Sequence, residues 1–145
     1  MSRLLRPLLA AALAAVAFAP SSPAGAAGEV EVTLAGSQFA PAVTTVPEGS
    51  NLTFINRDAT NYPMFIGNHN VIPDSNVGSV IPGTKPFPTS SSLITPGNKW
   101  TCAAAGGGGL TCTGQDGKAT PVPPGTYASA CGLHPNQMHA LIVVK

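Results

Sequence analysis

"PGTYASACGLHPNQMHALIVV" (Pro124–Val144) is the stretch from which the rest of the chain is read. It opens on a Pro-Gly turn and runs through a short β-prone segment to Cys131. It then loops through His134 and Met138 and ends in the apolar run "ALIVV". A run that is apolar at consecutive positions predicts a strand covered on both faces, hence a central one. Tyr127, directly after the turn, is read as a packing residue that closes one corner of a β-sandwich.

Working outward, "EVEVTLA" (Glu29–Ala35) alternates strictly, with Val30, Val32 and Leu34 on one side and Glu31 and Thr33 on the other. That is a half-buried strand. "AVTTVPEGSNLTFINRD" predicts strand, turn, strand, with "PEGS" (Pro47–Ser50) as the turn and Leu52 and Phe54 facing inward. "HNVI" (His69–Ile72) predicts a short strand after an irregular connection. Residues 73–97 are rich in Pro, Gly and Ser, a long loop of the kind that is either functional or poorly ordered. "NKWTC" and "LTCTG" flank "AAAGGGG" and predict a hairpin insertion over 98–114. With 16 Gly and 15 Pro and no sustained helical period past the N-terminus, the expected fold is all-β: a Greek-key antiparallel β-sandwich of about 7–8 strands.

The first residues read as an export signal. Arg3 and Arg6 precede the apolar run Leu8–Ala19, and the small-residue stretch "AGAAG" follows. The run is shorter than the about 20 residues a membrane span needs. The expectation is a signal peptide over 1–26, a single domain over 27–145 with no membrane span, and a periplasmic, secreted or extracellular-face location. Retention of the leader as an N-terminal anchor is the alternative. Taking Arg3 and Arg6 from the seven Lys/Arg leaves five against six Asp/Glu, a formal net charge of −1. No basic patch invites nucleic acid.

Three Cys in an oxidising compartment leave one unpaired. Cys102 and Cys112 flank the Gly-rich loop, and a hairpin can set them opposite each other. A disulfide there, closing so short a loop, stabilises by roughly 2–3 kcal/mol on the chain-entropy argument. Cys131 is then the free thiol, and a free thiol in that compartment is buried or ligated. His134 follows it at the third position and Met138 at the seventh. Thiolate, imidazole and thioether form the soft, mixed donor set that suits copper. A His2Cys site with a weak axial Met needs one more imidazole, and only His69 and His139 remain.

The Pro124–Val144 stretch resembles the C-terminal signature of the cupredoxins, the blue copper proteins, in their amicyanin and plastocyanin branch. The shared pattern is P-G-T-Y, a short strand, Cys, two residues, His, a short loop, Met, and a closing β run. "VPEGSNLTFINRD" and "HNVI" are similar to that family's approach to its first His ligand. The resemblance implies an eight-stranded Greek-key sandwich holding one copper ion per chain and shuttling single electrons. It implies His69, Cys131 and His134 as equatorial ligands and Met138 as the axial one. Asn70 falls where the family's Asn pins the ligand loop. The family often offers that Asn a Ser or Thr after the Cys, and here the residue is Gly132, so only its backbone is available. The resemblance also implies that His134 lies near the surface in an apolar patch where electrons pass. Two alternatives stay open. The loop from His134 to Met138 holds "PNQ", three residues, so His139 competes for the axial place. Extra residues before His69 put Met64 near the family's first ligand, with Tyr62 and Phe65 beside it.

The expected function is therefore an exported mononuclear type 1 copper protein, a monomer acting with transient redox partners, and not an enzyme. A copper storage or delivery protein using the same ligands is the alternative. It gains nothing from fast electron exchange, and the chain has no Met-rich segment. A zinc site uses the same ligand types. Multicopper oxidases and nitrite reductases need further His-rich centres, which three His in total do not build. A Cys131–His134 hydrolase dyad lacks a third, orienting group.

Overall fold

The computed structural model describes residues 28–60, 67–76, 81–90 and 92–145. These form eleven strands: β1 (Glu29–Ala35), β2 (Gln38–Ala40), β3 (Val43–Val46), β4 (Asn51–Asn56), β5 (Ile72–Pro73), β6 (Lys85–Pro86), β7 (Lys99–Ala104), β8 (Leu110–Thr113), β9 (Ala119–Val122), β10 (Gly125–Ala130) and β11 (His139–Val144). Three of them, β2, β5 and β6, are only two or three residues long. That accounts for the excess over the expected seven or eight. One sheet runs β2-β1-β4-β7-β8-β9, the other β3-β11-β10-β5 with β6 also beside β10.

The expected β-sandwich is present, and both of its sheets are mixed, with parallel pairs among the antiparallel ones. β1 pairs in parallel with β4, and β11 with β3. The cause is the crossing of the chain between layers. After the β1–β2 hairpin it passes to the other sheet as β3 and returns as β4 alongside β1, in the same direction. The last strand meets β3 in the same way.

Local sequence accounts for the layers. In β1, Val32 and Leu34 are fully buried while Glu31 stays exposed. β4 buries Leu52 and Phe54. Phe54 stacks on Trp100 at 5.6 Å between centroids, and Phe87 meets Phe54, Trp100 and Tyr127 edge-on at 5.9–6.3 Å. These contacts knit the two layers at the separations aromatic pairs favour. Phe87 comes from the Pro/Gly/Ser-rich connection, which thus contributes to the core. Tyr127 is buried and its hydroxyl donates to the Pro123 carbonyl at 2.6 Å, bracing the corner. β11 lies between β3 and β10, and alternates buried Ala140, Ile142 and Val144 with half-buried His139, Leu141 and Val143.

The β7–β8 hairpin lies within the six-stranded sheet, with β7 paired to β4. Cys102 stands directly opposite Cys112, and the two are joined in a disulfide buried in the core. Gly109 in the connecting loop has φ +89°, and a Cβ there would lie 2.6 Å from the Val122 carbonyl oxygen. Gly109→Ala must both adopt a disfavoured backbone and displace β9. It is expected to lower the unfolding free energy by about 1–3 kcal/mol, measured by denaturant titration.

Candidate metal centre

The centre lies where the ends of β10 and β11 meet the irregular strand-like segment before β5. Cys131 follows β10 directly. The β10–β11 ladder pairs Ala130 with His139, and the next step beyond it sets Cys131 opposite Met138, with the Cys131 N–H donating to the Met138 carbonyl at 3.0 Å. Between them the loop closes on itself: the His134 carbonyl accepts from the N–H groups of Gln137 and Met138 at 3.1 and 3.0 Å. That compact turn aims His134 back at the thiol.

His69 arrives from a distant part of the chain. It forms an isolated bridge with Ile94, through bonds of 3.2 and 2.6 Å, rather than starting a strand as expected; the strand begins at Ile72. Buried Asn56 at the end of β4 ties both flanks, its amide donating to the Gly67 and Ile94 carbonyls at 2.7 and 2.6 Å. The long connection through residue 97 therefore helps hold a site residue in place.

The donor atoms of His69, Cys131 and His134 all lie within 4.8 Å of one another. Cys131 Sγ is 3.7 Å from His69 Nδ1 and 3.6 Å from His134 Nδ1. An ion about 2.0–2.3 Å from each donor at trigonal angles needs sulfur–nitrogen separations of roughly 3.7 Å. The donor set and its spacing therefore fit one small transition-metal ion. His69 and Cys131 are fully buried, and His134 lies at the rim. Exposed Leu133, Pro135 and Asn136 surround His134.

Met138 is fully buried on the core side of β11's alternation. His139, one residue on, faces the other way and binds Asp74 through Nδ1 at 2.6 Å, so it does not join the cluster. Asn70 accepts the Gly132 N–H at 2.7 Å. A Cβ on Gly132 would sit 3.2 Å from the Asn70 amide, so the small residue leaves that amide its room. Met64, Tyr62 and Phe65 lie outside the described residues.

Sequence reading missed Asp58. Its carboxylate accepts from His69 Nε2 at 2.8 Å. A carboxylate in a loop eleven positions before the histidine carries no local signal; only the folded geometry brings the two together.

The electrostatics suit a metal-binding thiolate. Burial pushes the Cys131 thiol up, but the His69 ring, the Asn70 backbone N–H, the His134 ring and the Leu133 backbone N–H outweigh it and bring the pKa down to about 6. For His69 burial pulls downward, and bonds and charge from Cys131 and Asp58 raise it overall. In the metal-free protein Cys131 is thus expected to titrate, by ultraviolet thiolate absorbance, with a midpoint near 6 instead of about 8.5. His69→Ala should move that midpoint upward. The stability owed to the depressed Cys131 pKa is full above the unfolded thiol's value and is lost as pH falls through about 6. The His69 contribution has the opposite sense, full below about 6.5 and lost as pH rises through its raised value.

No protein-family model matches the chain, and no curated protein does. Solved structures do. A copper-containing nitrite reductase from Thermus scotoductus SA-01 superposes with a TM-score of 0.53 at 23% identity, covering 80% of this chain and 22% of its own. A purple cupredoxin from Nitrosopumilus maritimus gives 0.50 at 15% identity over 79% of this chain and 98% of its own. A reduced amicyanin variant gives 0.48 at 22% identity over 80% and 81%. This chain therefore spans about a fifth of the nitrite reductase chain.

Proposed function

From a chain that has the cupredoxin fold, we propose an exported mononuclear copper protein that carries single electrons between transient redox partners, working as a monomer. The observation that carries the proposal is the buried thiol set 3.6–3.7 Å from two imidazole Nδ1 atoms. In this reading His69, Cys131 and His134, with Met138 beside them in the chain, would hold one copper per chain. Held there, one copper would supply one-electron redox chemistry.

The protein's part is to keep the donors from moving. Cys131 and Met138 close a β ladder, His69 is bridged to Ile94, and Asn56 and Asn70 tie the flanking backbone. Ligands fixed on a rigid sandwich change position little between states. Backbone N–H groups around Sγ favour the thiolate, and such outer contacts tune potential. His134, at the rim beside exposed Leu133, is the donor a partner can approach. Copper storage or delivery gains nothing from donors held so rigidly for fast electron exchange.

The likeness to part of a nitrite reductase is one of fold. Of this chain's three His, two are in the cluster and His139 is engaged by Asp74. A second His-rich centre, and with it enzymatic reduction, is not part of the proposal. The export signal over 1–26 and the periplasmic or extracellular location belong to it; the signal lies outside the described residues. Among the described residues no helix is long and apolar enough to cross a membrane.

Adding Cu(II) to the purified metal-free protein tests the reading. The expected result is an intense visible thiolate-to-metal band, a thiolate-type paramagnetic resonance spectrum and saturation at one equivalent. Colourless binding, or His69→Ala with an unchanged blue spectrum, overturns it.

A further inference from the structure

The Asp58 side chain is only 6% exposed and is held from several directions. Oδ1 accepts the Gly36 N–H at 2.8 Å, from the turn between β1 and β2. Its own backbone N–H donates to Asn56 Oδ1 at 2.9 Å. Oδ2 is left facing His69 Nε2 at 2.8 Å. An ionised carboxylate only accepts, so the bonded proton sits on Nε2. In the neutral ring this leaves the Nδ1 lone pair directed at the Cys131 side of the cluster.

We propose that Asp58 is a positioning residue for the metal centre, fixing the tautomer and direction of the His69 ring and placing a negative charge behind it that favours the oxidised metal. The proposal rests on the copper reading above. Histidines that bind metals generally hand their other N–H to an outer partner, and a carboxylate there makes the ring more basic. Asparagine, though nearly isosteric, does not serve both neighbours. With its carbonyl toward His69, its NH2 group confronts the Gly36 N–H. With its carbonyl toward Gly36, the NH2 group faces Nε2 and drives the ring proton to Nδ1, the atom meant for the metal.

The test compares Asp58→Asn and Asp58→Glu with Glu31→Gln. The last removes a neighbouring surface carboxylate, paired with Arg57 at 2.8 Å, without touching the ring. Imidazole nitrogen resonances of the metal-free proteins, at a pH where the ring is neutral, report the tautomer without any copper. In a shared Cys131→Ser background, where no thiolate 3.7 Å away competes for a proton on Nδ1, the parent protein and Glu31→Gln should show His69 protonated on Nε2 alone. Asp58→Asn should populate the Nδ1–H form, and Asp58→Glu should return it most of the way. In the copper-loaded proteins that keep Cys131, Asp58→Asn should shift the oxidised-to-reduced ratio at least tenfold toward reduced copper, an upward change of about 59 mV for a one-electron couple. An unchanged tautomer in Asp58→Asn overturns the proposal. A changed tautomer with a potential like that of Glu31→Gln overturns its electrostatic half. A changed tautomer, where the copper-loaded proteins that keep Cys131 give no thiolate band, sinks the copper reading and leaves the positioning role standing.

Discussion

Cys131→Ser is expected to abolish the intense visible band completely and to weaken copper binding by at least about a hundredfold, more than the ten- to hundredfold that loss of an outer partner costs. Serine keeps nearly the same shape in a fully buried position, so the β ladder to Met138 and the His134 turn stay in place. What is lost is the anion. The Cys131 thiol is brought down to about 6 and is a thiolate at neutral pH; a serine hydroxyl is not. The His69 and His134 rings remain, and two imidazoles hold copper only weakly and without a sulfur charge-transfer transition. Absorption spectra and competition with a chelator measure both effects. A variant that still gives an intense band shows that the colour arises elsewhere than at Cys131.

The second large effect separates two adjacent residues. Met138→Ala should destabilise the metal-free protein by about 2–5 kcal/mol, the usual cost of truncating a fully buried large side chain. In the copper form it should change the visible spectrum and raise the rate at which copper is lost. His139→Ala should leave the spectrum as it is. The difference follows from a period of two: one step along β11 moves a side chain from the Cys131 side to the side where Asp74 waits. Calorimetry on the metal-free proteins and spectra on the loaded ones test the pair. If His139→Ala alters the blue spectrum as much as Met138→Ala, the axial role belongs to His139.

Much of this was legible because the signals are local. The alternation of Glu29–Ala35 marked β1 end to end. The symmetric placing of Cys102 and Cys112 about a Gly-rich loop marked the hairpin and its disulfide. The Cys131-x-x-His134 spacing marked where two members of the His–Cys cluster lie. What escaped depends on distant partners. β9 carries Pro121, which argues against a strand until one sees that β9 is the last strand of its sheet, where a missing N–H costs little. The parallel pairings of β1 with β4 and β3 with β11 are topological and leave no mark on either strand. Asn56 and Asp58 look like turn residues in "NRD"; their hold on His69 exists only in the folded chain.

The pairing of β11 with β3 ties the site to the whole fold. Cys131 lies 62 positions from His69, and the turn that aims His134 is closed where the chain enters β11. Contacts so distant in sequence raise the contact order, and folds dominated by them form slowly as a whole. The imidazole of His69 is a lone donor until the closed β10–β11 ladder sets the thiol 3.7 Å from it. On the copper reading, assembling the sandwich and assembling the site would be one event: an unfolded chain would offer scattered weak donors, and only the folded one a shared site.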